Sequence, residues 1–218
     1  MTTGKRIFDI AIGVVGLLLI WPALLLIAIL VKVEDGGDVL FRQERVGRDG
    51  RPFRMWKFRT MVTDSGNLGP QLTAAHDHRI TTVGTLLRRL RLDELPQLFN
   101  VLVGEMTMVG PRPEVPKYVA SYTAAQRRVL ALTPGITDRA SIEFFDEAGL
   151  LRGEPDPEKF YIERIMPEKI RLNLEYAKGA TRLRDLMVII DTLRRILPRR
   201  RPAPAQPRAV YFPAISEP

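Results

Sequence analysis

The longest apolar run in the chain extends from Ile10 to Val31 (IAIGVVGLLLIWPALLLIAILV) and contains no charged residue. At ~1.5 Å per residue, one helix of this length spans a bilayer core of about 30 Å. Pro22 sits in its middle and removes a backbone hydrogen bond, which predicts a kink or break there. Lys5 and Arg6 precede the run, and Lys32, Arg42, Arg45, Arg48, Arg51 and Arg54 follow it. Cationic flanks prefer the cytoplasmic side. A helix that enters, breaks at Pro22 and returns satisfies both flanks, and a single span reads equally well from these residues. Asp9, one turn past Lys5, is close enough to pair with Lys5 or Arg6 at the membrane entrance.

Beyond this segment the periodicity changes. Val39–Val46 and Arg51–Met61 read as two strands joined through Gly47-Arg-Asp-Gly50, whose Asp-Gly pair signals a tight turn. The second strand interleaves cations with aromatics and offers Lys57 and Arg59 to a phosphate or a membrane surface. Thr63–Thr82 reads as a long polar loop holding both histidines, His76 and His78, without metal-ligand spacing. Val83–Leu92 reads as a short amphipathic helix with Arg88, Arg89 and Arg91. Leu95, Leu98, Phe99 and Leu102 repeat at helical spacing after Asp93-Glu94, with Pro96 in the first turn and Gly104 as the stop. Val115–Leu132 is helix-like, Thr133–Thr137 a turn, and Ser141–Leu151 mixed. Asp156–Ala177 and Arg182–Leu197 read as helices, the last one basic and amphipathic, for packing against a core or a membrane surface. Pro198–Pro218 is rich in Pro and Arg and reads as a disordered tail.

The 218 residues suffice for one domain with a real core, and the absence of cysteine excludes disulfides and Cys-ligated zinc. The net charge of +8, from 33 Lys+Arg against 25 Asp+Glu, suits nucleic acid, anionic lipid or phosphorylated small molecules. The chemistry narrows that choice. Asp93 and Glu94 stand at a predicted helix N-terminus, where the dipole and free N–H groups favour anions and keep a carboxylate ionised. An ionised aspartate there could serve as nucleophile, metal ligand or plain helix cap. Arg88 precedes the pair. Arg112 follows it, fixed between Pro111 and Pro113, and arginine's planar donor fork suits phosphate oxygens.

In order along the chain, several motifs resemble the bacterial sugar transferases, the monotopic phosphoglycosyl transferases acting on polyprenyl phosphate. These are Lys5-Arg6-x-x-Asp9, the proline-centred apolar segment, Phe41-Arg-Gln-Glu-Arg-Val-Gly47, Lys57-Phe-Arg-Thr-Met61, Leu92-Asp-Glu-Leu-Pro-Gln-Leu-Phe-Asn-Val-Leu102, Val109-Gly-Pro-Arg-Pro113 and Pro134-Gly-Ile-Thr137. The likeness covers about residues 5 to 190 and implies the minimal catalytic unit of the family. It implies transfer of a sugar-1-phosphate from a UDP-sugar to polyprenyl (undecaprenyl) phosphate, with release of UMP, as the first membrane step of capsule, O-antigen or exopolysaccharide assembly. Asp93 becomes the nucleophile and a ligand of Mg²⁺, with Glu94 assisting. Arg88, Arg112, Pro111, Pro113, Lys57 and Arg59 become the phosphate and nucleotide contacts.

The same likeness implies a re-entrant helix at the cytoplasmic face of the bacterial inner membrane, in contact with its lipids. No nucleic-acid partner is expected, and self-association is compatible with the reading. The competing functions are a membrane-tethered basic binding protein and a scaffold without catalysis. Asp138–Phe144 departs from many relatives, so the donor sugar is not read from it, and Trp21 stands where some relatives have a small polar residue before the proline. The expected fold is α/β with mostly helices. A re-entrant membrane helix-break-helix (1–33) leads into a cytoplasmic catalytic domain (34–197) of a small β-hairpin and amphipathic surface helices around a compact centre. A Pro/Arg-rich disordered tail (198–218) follows.

Overall fold

The computed structural model describes residues 2–62 and 77–196. The tail at 198–218 and the first part of the expected loop, with His76, lie outside these residues. The described chain is mostly helical, with two small two-stranded sheets.

Helix α1 (Thr3–Asp35) starts at Thr2, whose side chain accepts from the Lys5 N–H, and stops at Gly36 in the left-handed region. It is one helix with Pro22 inside it, not the expected helix-break-helix. Its polar start is fastened to the domain. Lys5 Nζ donates to Asp185 (2.6 Å) and to the Val109 carbonyl (3.1 Å). The Arg6 guanidinium donates to the carbonyls of Val101 and Leu102. The expected pairing of Asp9 with Lys5 or Arg6 is not made. Asp9 is fully buried and accepts from Thr107 Oγ1 (2.6 Å) and the Met108 N–H (3.2 Å), while its two cationic neighbours go elsewhere. The far end of α1 is fastened too: Asp35 pairs with Arg59, and the Glu34 carboxylate accepts the Val83 N–H (3.0 Å). Between these ends Ile7, Val15, Leu18, Leu19, Trp21 and Leu26 are exposed.

The hairpin forms as expected. Strand β1 (Leu40–Val46) pairs antiparallel with β2 (Pro52–Phe58), register Leu40↔Phe58 to Val46↔Pro52. Asp49 and Gly50 both take positive φ in the turn, which suits an Asp-Gly pair. Phe53 and Met55 face inward to a cluster with Leu98, Val101, Met106 and Met108. Phe58 joins Ile27, Val31 and Leu87 in another.

Helix α2 (Thr82–Arg89) is capped by Thr81, whose hydroxyl accepts from the Gly84 N–H at 2.9 Å. Gly84 lies so close to Thr60 that a Cβ would meet the Thr60 carbonyl oxygen at 2.3 Å. Helix α3 (Gln97–Val103) ends at Gly104, φ 93°, the stop expected there. Strand β3 (Thr107–Val109) then pairs in parallel with β4 (Gly135–Thr137), where a plain turn was expected. Burial of the Thr107–Val109 backbone requires those hydrogen bonds.

The expected long helix over Val115–Leu132 is instead α4 (Pro116–Ala120) and a 3₁₀ segment, Gln126–Ala131. Thr123 and Gln126 exchange reciprocal side-chain-to-backbone bonds (2.8 and 3.2 Å), a capping box that starts a new segment. The mixed stretch resolves into α5 (Arg139–Glu143) and α6 (Glu147–Leu151). The next predicted helix is α7 (Pro157–Phe160), a π-turn at Tyr161–Ile165 and α8 (Met166–Lys178). Pro167 accounts for the π-turn: its ring crowds the carbonyl four residues back and its missing N–H leaves the tighter bond unmade.

Helix α9 (Arg182–Ile196) matches the expected range up to its last residue, but its apolar stripe points outward. Leu183, Leu186, Met187, Ile190 and Leu193 are exposed, whereas Asp185 and Val188 are buried. Asp185 accepts from Lys5 and from the Tyr176 hydroxyl (2.7 Å), which holds α9 against the start of α1.

The contact of Gly84 with Thr60 gives a direct test. Gly84→Ala cannot be absorbed without moving α2 away from Thr60, so it should destabilise the protein by about 1–3 kcal/mol. Thermal unfolding measures this; an unchanged midpoint would refute the close approach.

Candidate active site

Leu92–Glu94 form a 3₁₀ turn, and Leu95 and Pro96 continue with helical backbone angles into α3. Pro96 thus occupies the start of the helix, where its missing N–H loses nothing. The turn is preceded by Arg91 at φ 57°, a left-handed conformation that a residue with a side chain adopts at a cost. That reversal ends α2 and turns Asp93 and Glu94 inward.

Glu94 is the most heavily partnered side chain of the site. Its Oε1 accepts from Lys57 Nζ at 3.1 Å and from Arg112, and its side chain is 12% exposed. Burial works to raise its pKa, but Arg112 and Lys57 outweigh it and hold the carboxyl well below the ordinary glutamate range. Arg112 is raised in turn, chiefly by Glu94. Lys57 is lowered, because desolvation exceeds the help from Glu94.

Asp93 differs. It is 8% exposed, and Oδ1 is buried without a hydrogen-bond partner. Burial first and the neighbouring Glu94 charge second push its pKa up, against Lys57, Arg88 and Arg91. The helix N-terminus is thus opposed at Asp93 by desolvation and by the like charge of Glu94, whereas at Glu94 the cations prevail.

Each cation is positioned by backbone or polar contacts. Asn100, fully buried, accepts the Trp56 N–H on Oδ1 (3.0 Å) and donates Nδ2 to the Arg54 carbonyl (3.0 Å), which fixes β2 beside Glu94. Arg88 Nε donates to Thr60 Oγ1 at 2.8 Å. The Arg112 N–H donates to buried Asp138 at 2.8 Å. The prolines on either side expose their carbonyls: Pro111 accepts from the Gly135 N–H (3.0 Å), and Pro113 from Arg45 (3.2 Å). So Lys57, Arg88, Arg112 and the dyad are brought together. Arg59 is not part of that group, because its guanidinium is bound to Asp35 and the Asp38 carbonyl at the end of α1.

Sequence reasoning missed Asn100, Asp138 and Thr60. Asn100 carried a usable signal, lying seven residues after Asp93 on the same helix face. The long-range partners of Asp138 and Thr60 left none.

A divalent ion fits this donor set in one way. Among the described residues no three carboxylates or histidines cluster, so an all-protein cage is absent. Mg²⁺ is usually held by one or two carboxylates and substrate phosphates, and Asp93 would supply one such ligand through Oδ2, the oxygen that is not fully enclosed.

The model for bacterial sugar transferases matches residues 1–199. The chain belongs to the bacterial sugar transferase family. Among relatives of this transferase, a UDP-glucose:undecaprenyl-phosphate glucose-1-phosphate transferase of Klebsiella pneumoniae is 38% identical over 192 residues, covering 87% of this chain and 39% of the relative. A UDP-N-acetylgalactosamine-undecaprenyl-phosphate N-acetylgalactosaminephosphotransferase of Aeromonas hydrophila is 35% identical over 198 residues, 88% of this chain and 43% of its own. The exopolysaccharide production protein ExoY of Sinorhizobium fredii is 31% identical over 204 residues, with coverages of 87% and 83%. The chain thus spans less than half the length of the Klebsiella and Aeromonas relatives.

The two carboxylates predict opposite stability effects. The folded-state pKa of Asp93 lies above its ordinary 3.8, so folding favours the protonated form, and stability falls as pH rises from 3.8 through the folded value. Asp93→Asn removes that loss and should raise the unfolding midpoint at neutral pH, the gap closing below pH 3.8. Glu94→Gln leaves Arg112 and Lys57 buried without a counter-charge and should cost about 3 kcal/mol. Calorimetry over pH distinguishes the two.

Proposed function

We propose that this chain transfers a sugar-1-phosphate from a UDP-sugar to polyprenyl phosphate, releasing UMP, as the first membrane step of a surface glycan. The observation that carries the reading is Asp93, whose carboxylate takes no hydrogen bond from the described residues, set among Lys57, Arg88 and Arg91 beside a Glu94 whose charge is already paired. Family membership and the names of the relatives support it.

Asp93 attacks the β-phosphorus of the donor. A carboxyl O–P bond forms, the bridging P–O bond to UMP breaks, and UMP leaves with that electron pair. The phosphate oxygen of the polyprenyl acceptor then attacks the same phosphorus, and Asp93 departs as carboxylate. When bound, Mg²⁺ supplies positive charge that favours ionised Asp93 and offsets the diphosphate. Arg88 and Arg112 hold phosphate oxygens, and Glu94 fixes Arg112 and Lys57 in place.

The lipid acceptor requires the site to sit at a membrane. α1 lies at the cytoplasmic face of the bacterial inner membrane, and a re-entrant course requires it to bend at Pro22, where a backbone hydrogen bond is missing. Binding of both its ends to the same domain supports keeping those ends on one side of the bilayer. The outward apolar stripe of α9 supports contact with lipid.

The test is UMP release from a panel of UDP-sugars with Mg²⁺ and polyprenyl phosphate, together with intact mass after donor alone. A covalent phosphosugar adduct is expected, and Asp93→Asn should abolish it and lower turnover at least about 10³-fold. Wild-type turnover in Asp93→Asn would reject the nucleophile, and silence of the wild type with every donor would reject the reaction.

A further inference from the structure

Gln97 is the most anomalous polar side chain in the protein. It is fully buried, and neither its Nε2 nor its Oε1 has a hydrogen-bond partner. A buried amide left with both ends unmet costs free energy, and most such groups are paired. A leucine or methionine of similar volume would avoid the cost at this position. Packing alone therefore gives no reason for an amide.

Its position does. Gln97 follows Asp93 by four residues, and Leu95 and Pro96 between them have helical backbone angles, so the two side chains leave the same face. On that face three polar residues stand in a row. Glu94 is bound to Lys57 and Arg112 at one end, and Asn100 is bound to Trp56 and Arg54 of β2 at the other. Gln97 is the middle member and is bound to nothing. Asp93 Oδ1, one turn before it, is likewise buried and unpartnered. A donor without an acceptor thus lies one turn from an acceptor without a donor. Asp and Gln four residues apart on a helix are a known hydrogen-bonding pair.

We infer that Gln97 is a positioning residue for Asp93: its Nε2–H donates to Oδ1 in the loaded enzyme and fixes the carboxylate plane, so that the other oxygen faces the donor phosphorus. This rests on the nucleophilic role given to Asp93 above. In the free protein the pair is open, and its cost is carried as an unmet amide. Closing it once the phosphates are bound directs binding energy to the reacting geometry, which affects turnover more than affinity.

The experiment is Gln97→Met, which keeps volume and removes both polar atoms, with Gln97→Leu made in parallel in case one fails to fold. Each is measured for thermal midpoint and for UMP release at varied donor concentration. Expected are an unfolding midpoint equal to or above wild type, kcat lower by about 10- to 100-fold, and donor KM within about twofold, from the loss of one hydrogen bond to a charged group. A residue that merely packs would change stability and leave kcat alone. A stable variant with wild-type kcat overturns the inference while the parent reaction stands. A rise in KM with kcat unchanged overturns it as well, by making Gln97 a substrate contact. Failure of the wild type to release UMP falls instead on the reaction itself.

Discussion

The candidate site depends on one carboxylate accepting two cations. Glu94 Oε1 takes Lys57 from strand β2 and Arg112 from the loop between β3 and α4, so three stretches distant in sequence meet at one oxygen. All three groups are largely out of water, where leaving any one unpaired costs several kcal/mol. The pair of carboxylates is therefore not symmetric. Two cations directed at Glu94 leave Asp93 as the less stabilised charge, with an oxygen that no protein group occupies.

The supporting contacts follow the same logic. Asn100 binds the free backbone edge of β2, Asp138 binds the Arg112 N–H, and Thr60 holds Arg88. None of these residues is a strong charge partner of the dyad, yet each sets where a cation stands. Apolar clusters lie around this polar centre: Phe53 and Met55 with α3 and β3, Phe58 with α1 and α2, and Tyr118, Tyr161 and Ile165 in the C-terminal half. Their packing limits the movement of the segments that carry charge.

Elements with a strong local signal were legible in the sequence. The hairpin showed itself by its Asp-Gly turn, α3 by its apolar spacing and Gly104, and α9 by its periodicity. What failed depended on partners far along the chain. Val115–Leu132 looks helical until the Thr123–Gln126 capping box divides it, and Thr133–Thr137 looks like a turn until β3 supplies it with a parallel neighbour. Periodicity found the apolar stripe of α9 but not its direction, because Asp185 is drawn inward by Lys5 and Tyr176. The residues of the dyad could be read as a pair; their unequal charge states could not, since these come from burial and from Arg112. Lys57 and Arg59 are equivalent in the strand pattern, and only the fold separates the one beside Glu94 from the one held by Asp35.

The anchoring of α1 also constrains the order in which the molecule can be completed. Lys5 and Asp185 are 180 positions apart, whereas the contacts at the far end of α1 reach only to Arg59 and Val83. On a ribosome α1 emerges before the segments that bind it, and its rear clamp needs the chain only as far as Val83. Its front clamp takes the Val101, Leu102 and Val109 carbonyls, and gains the Lys5–Asp185 pair only once α9 has been synthesised. The last helix described thus completes the fastening of the first, whose ends are otherwise held by segments from the first half of the chain.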